Sequence, residues 1–162
     1  MERLPGRSLT AVAVVMLAVA LGFGVAACGG TAAVATPVGP LVTVEVHGGL
    51  CASAPCGTTI YVERDGRVHQ AAKPPNDLGT VPPVALAGLT AAINATDFTA
   101  VKRHLFSGQC PTAADGQEYV FEFAAPSGAQ RIASCEVAID FGSPLFVAVS
   151  TALGPFVPLP TT

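Results

Sequence analysis

Hydrophobic and polar positions divide this chain into three textures. From Leu9 to Ala27 nearly every residue is apolar and none is charged. From Gly29 to Pro40 the residues are small and uncharged, with two prolines, a composition that reads as a flexible tether of about 20 Å. From Leu41 onward apolar residues recur with periods that change from two to nearly four, the mark of strands giving way to helices.

The period-two segments come first. Val42, Val44 and Val46 alternate with Thr43, Glu45 and His47, so Val42 to His47 is the first expected strand. Thr58 to Glu63 and Arg67 to Ala71 are the next two, joined through Arg64-Asp65-Gly66. A three-residue loop with Gly66 left-handed sets Val62 opposite Val68 and Glu63 opposite Arg67, pairing like with like. Lys73 to Pro83 holds four prolines and reads as an irregular connection.

Helical spacing follows. A helix opens near Pro82 or Pro83, with Thr80 as a possible cap and Leu86, Leu89 and Ile93 on one face. A shorter helix follows Asn94-Ala95-Thr96. Thr96 is its expected cap, and Phe98, Val101 and Leu105 form its apolar face. Two more strands, Gln117 to Ala124 and Arg131 to Ile139, flank Pro126-Ser127-Gly128. A three-residue loop there would place Ala133 opposite Phe121 and Cys135 opposite Tyr119. The last helix is bounded by Ser143 as cap, Pro144 as its first residue and Gly154 as its stop. Its stripe is Leu145, Phe146, Val149 and Leu153. The resulting expectation is an α+β domain over residues 41–154. It has an antiparallel sheet of about five strands, two or three helices packed on one face, and a tail from Pro155 to Thr162.

Charge narrows the function classes. Residues 28–162 carry 6 Lys+Arg against 10 Asp+Glu, with no basic run, so nucleic acid is not an expected partner. No phosphate loop, nucleophile elbow, zincin motif or calcium loop occurs, and no cofactor is expected.

The apolar run gains meaning from its flanks. Arg3 and Arg7 precede it, and it ends in Val25-Ala26-Ala27-Cys28. This block resembles the lipobox of a bacterial lipoprotein signal. The resemblance implies removal of residues 1–27, lipid on Cys28, a tether over residues 28–40, and a domain held at the extracytoplasmic face of the cell membrane. Two alternatives stay open. Leu9 to Ala27 is 19 residues, about the minimum for an uncleaved spanning helix. A cleaved signal without lipid is the other.

Four cysteines remain: Cys51, Cys56, Cys110 and Cys135. An even number in an exported chain points to disulfides. Cys51–Cys56 closes a small ring, and Cys110–Cys135 follows by elimination. A metal site of Cys51 and Cys56 with His47 is the rival, although thiolate zinc sites favour tighter cysteine pairs.

Candidate chemistry is sparse. Asp115 and Glu118 form the best acidic pair, yet a turn aspartate and a strand glutamate explain them more simply. His47 and His69 fall on strands and His104 at a helix end, with no sign of a shared site. The strand-and-turn pieces Thr59-Ile60-Tyr61-Val62, Asp65-Gly66-Arg67-Val68, Cys110-Pro111-Thr112-Ala113 and Asp115-Gly116-Gln117-Glu118, with Ser134-Cys135 ahead of Ser143-Pro144-Leu145-Phe146, resemble uncharacterised bacterial lipoprotein and emfourin-like domains. That resemblance implies a peptidase-inhibitor-like module. The residues themselves point to a non-enzymatic domain binding a protein or envelope component. A hydrolase with a site assembled from scattered residues is the third reading.

Overall fold

The protein is described from a computed structural model, which covers residues 39–49 and 56–160. The expected signal, Cys28, most of the expected tether and Cys51 lie outside the described residues.

The domain is α+β, as its periodicities require. Six strands form one antiparallel sheet: β1 (Val42–Gly48), β2 (Gly57–Val62), β3 (Arg67–Gln70), β4 (Asn76–Thr80), β5 (Gln117–Ala125) and β6 (Gly128–Ala133). Their spatial order is β4-β3-β2-β1-β5-β6, so the first strand of the domain sits inside the sheet. Three helices, α1 (Pro83–Ala95), α2 (Phe98–Lys102) and α3 (Pro144–Leu153), contribute to the layer beside it.

The alternation in β1 does what it should. Val42, Val44 and Val46 enter the core with Ile60, Val62, Val68, Phe121, Phe123 and Ile132 from neighbouring strands. Leu89 and Ile93 from α1, Phe98 from α2 and the α3 stripe meet them from the other side. Each strand thus gives alternate residues to one apolar layer and the rest to the opposite face. The β2–β3 hairpin has the expected register. Val62 opposes Val68, Glu63 N–H donates to Arg67 carbonyl at 2.8 Å, and Gly66 takes the positive φ of 91° the loop needs.

Several local expectations are corrected. The proline-rich connection contains β4, all of whose residues are exposed. Pairing with β3 forms it, with no apolar alternation to announce it. The β5–β6 turn has two residues, because Ala125 pairs with Gly128. Ile132 therefore opposes Phe121, where Ala133 was expected, and brings the larger apolar side chain to the core. β6 ends at Ala133, and Ser134 to Ile139 leaves the sheet in a turn with a single bridge, Leu105 to Val137.

The caps also differ. Asp97, not Thr96, caps α2, with its carboxylate accepting from Ala100 N–H at 3.0 Å. The Thr96 hydroxyl instead donates to Ala92 carbonyl at the end of α1. Thr80 belongs to β4, and α1 begins after Pro82 without a side-chain cap. Ser143 holds the cap position of α3, but its hydroxyl turns back to donate to Asp140 carbonyl at 2.8 Å. Part of the expected tail packs: Val157 is buried and Phe156 and Leu159 lean on the core.

Candidate functional site

The face of the sheet opposite the helices collects the polar half of each alternation. β1 supplies Thr43, Glu45 and His47, β2 supplies Thr59 and Tyr61, and β3 supplies Arg67 and His69. From β5 and β6 come Glu118, Glu122 and Arg131. Most are half-buried against one another, as on a sheet face with one solvated side. Among the described residues, every helix with side chains in the core packs on the other face.

Short-range pairs organise this surface. His47 Nε2 lies 3.1 Å from Glu45 Oε2, as hydrogen-bond donor and acceptor. Tyr61 and His69, directly paired across β2 and β3, hold their rings 5.3 Å apart. Arg131 donates from Nη1 to both carboxylate oxygens of Glu136, at 2.8 and 2.9 Å. That hydrogen bond, with the added fields of Glu118 and Glu45, raises the already high pKa of the guanidinium. At the hairpin end, the Arg67 backbone N–H and side chain hold the Asp65 carboxyl below its ordinary range.

Glu118 sits beside the Cys110–Cys135 disulfide, whose Cα atoms are 5.1 Å apart. A Glu118 carboxylate oxygen and the two sulfurs lie within 4.8 Å of one another. Three potential ligands therefore converge, but the sulfurs are spent on each other and offer no thiolate to a cation. Val120 and Ala133 are buried on this same side, apart from the main core. Nearby, burial pushes the Tyr119 hydroxyl pKa up. Asp115 stands in the turn after a 3-10 segment, Pro111–Ala114, with a left-handed φ of 60°. The acidic pair thus divides: Asp115 shapes a turn, and Glu118 faces a disulfide. Gly48 brings the 3-10 segment close to the end of β1. A Cβ there would lie 2.6 Å from Gly116 carbonyl and 2.8 Å from Thr112 Cγ2.

Cys56 is disulfide-bonded. Cys51, and with it the expected Cys51–Cys56 pairing, lies outside the described residues. For the longer bridge we expect Cys110→Ala with Cys135→Ala to lose about 3.5 kcal/mol, from the entropy of a loop with sequence separation 25. Urea unfolding of the double variant checks it, and an unchanged midpoint would show that the bridge does not restrain the unfolded chain.

The histidines occupy two surroundings. His47 and His69 lie on the sheet face, whereas His104 lines a pocket of about 360 Å³ with Ala100, Val101, Ala138, Asp140, Ser143 and Phe146. Sequence reasoning placed His104 at a helix end and Ser143 at a cap, and did not join them to Asp140. No local signal could have done so, since His104 stands on a different element from the turn before α3.

Ser, His and Asp on one pocket are the ingredients of nucleophilic hydrolysis. Their hydrogen bonds run elsewhere. Ser143 donates to Asp140 carbonyl, and Asp140 Oδ1 accepts from Gly142 N–H at 2.9 Å. The His104 ring makes no hydrogen bond among the described residues. The three groups line one pocket, and no hydrogen bond joins their side chains among the described residues.

No protein-family model, curated protein or solved structure matches this chain.

Proposed function

We propose that this chain is a lipid-anchored extracytoplasmic domain that binds a protein or envelope component through the open face of its sheet. The observation that carries the reading is the one-sided sheet. Among the described residues, a face of Thr43, Glu45, His47, Thr59, Tyr61 and His69 stands free of the helical layer on the other side. Tyrosine paired with histidine gives rigid contact area, and the flanking threonines and glutamate add directional polar groups. The anchor reading rests on the Val25-Ala26-Ala27-Cys28 block and on a tether that joins the domain at the start of β1.

Site-specific photocrosslinking of the anchored protein in its own envelope tests the face. A photoreactive residue at Thr59 should give a discrete adduct, and one at Ala87, exposed on α1, should not. Adducts from Ala87 alone, or none from the sheet face, would reject it.

The shared pocket of Ser143, His104 and Asp140 keeps a hydrolase as an alternative reading. We expect no turnover of ester, glycoside, phosphate or peptide substrates. Turnover lost in Ser143→Ala, or in Glu118→Gln with the fold intact by circular dichroism, would replace the binding reading with an enzymatic one.

A further inference from the structure

The pocket between α2 and the start of α3 has a composition that specifies a ligand class. Four of its lining residues are apolar: Phe146, buried, Val101 and Ala100, half-buried, and Ala138, exposed. Its size falls within the range of small-molecule sites, which combine an apolar lining with a few convergent polar groups. The polar groups in the lining are His104, Asp140 and Ser143.

Their hydrogen-bond accounting decides what they can receive. The Ser143 hydroxyl spends its proton on Asp140 carbonyl, so toward the pocket it can only accept. Asp140 Oδ1 takes the Gly142 N–H, which leaves Oδ2 as an open, charged acceptor. His104 can accept through one ring nitrogen when neutral. Asp140 is the single carboxylate among the lining residues, and none of them is Lys or Arg. Lys102, nearby in sequence, extends its ammonium to Gln130 Oε1 at 2.9 Å. The polar part of the lining is therefore rich in acceptors and carries one carboxylate, and the rest of it is apolar.

We propose that this pocket binds a primary ammonium group carried on a short apolar body. The ammonium sits between Asp140 Oδ2, Ser143 Oγ and His104, and the apolar body lies on Phe146 and Val101. The source is either a free small amine or a lysine side chain of a polypeptide. The opposing influence is the N-terminus of α3, whose partial positive charge favours anions. An anion would meet the Asp140 carboxylate in the same pocket, so the two ligand signs give opposite outcomes. The pocket assignment stands independently of the sheet-face reading, because the two surfaces share no residue.

Backbone amide NMR of the mature chain in mild detergent, titrated with phenethylamine and with 3-phenylpropionate, separates them. The amine should shift His104, Asp140, Gly142 and Ser143 saturably, and the carboxylate should not. Asp140→Asn should weaken the amine by about tenfold or more, the loss expected for a charge-assisted hydrogen bond. Ala100→Phe, which fills the apolar part of the pocket without touching the charge, should abolish the shifts while the spectrum of the β1 and β5 amides stays in place. A blocked Ala-Lys-Ala peptide that shifts the same amides assigns the polypeptide source; shifts from phenethylamine alone assign the free amine. Equal or tighter binding of 3-phenylpropionate, full binding by Asp140→Asn, or no response of these amides to either amine probe overturns the proposal.

Discussion

Fatty-acid label should be absent from Cys28→Ser and present in the unaltered protein. In the proposed lipoprotein reading the Cys28 thiol is the only acceptor, so its loss is all-or-none. Anchoring depends on it for a physical reason. Each buried CH₂ adds about 0.8 kcal/mol, and one chain binds only marginally, so stable attachment would need the two or three chains that the proposed modification places on Cys28. Without lipid the protein should stay unprocessed, held by Leu9 to Ala27, or leave the membrane fraction. Metabolic labelling with a radioactive fatty acid measures the first outcome, and N-terminal sequencing separates the other two. Equal labelling of both proteins would refute the assignment and return the apolar run to one of its alternatives, a spanning anchor or an unlipidated signal.

Phe121→Ala should cost about 3–5 kcal/mol, the range for removing a fully buried aromatic side chain. Phe121 is completely buried on β5. Its ring lies 5.1 Å from that of Phe146, 6.0 Å from Phe123 and 6.5 Å from Phe141, so it joins the sheet to α3 and to the turn before it. The cavity left behind borders other large rings from three elements, which cannot all move into it. Since domains of this size hold only about 5–15 kcal/mol, the loss takes a large share of the total. Urea unfolding followed by circular dichroism should show a much lower midpoint with little change in slope. A loss below about 1 kcal/mol would mean that the aromatic cluster is not the centre of the core.

The legible parts of this fold share one property: their signal is local. β1 shows itself because valines fall at every second position. α3 shows itself because Pro144, Gly154 and the stripe between them lie within one short segment. The β2–β3 register could be read because a glycine and two complementary pairs admit only one loop length. Between β5 and β6 the expected three-residue loop was the wrong length, because local pattern carries no measure of which partner fills the core better. Packing of Ile132 against Phe121 settled the register. Caps were ambiguous for a related reason. Thr96 and Asp97 are adjacent and both capable, and only the backbone path shows which side chain reaches the Ala100 N–H.

The sequence alone determined the α+β class, five of the six strands with β6 shifted along the chain, the apolar faces of α1 and α3, and Cys110–Cys135 as one of the expected bridges, because periodicity, turn chemistry and cysteine parity act over short or countable distances. Tertiary structure alone decided three things. β4 exists because β3 offers it backbone partners, although its own side chains are all exposed. β1 lies inside the sheet because the late strand β5 returns to pair with it, a long-range closure no window of sequence contains. The pocket of His104, Asp140 and Ser143 arises because α2 and the turn before α3 pack over Phe146. Residues far apart in sequence become neighbours there through burial of a ring, a non-directional force whose result depends on the whole core.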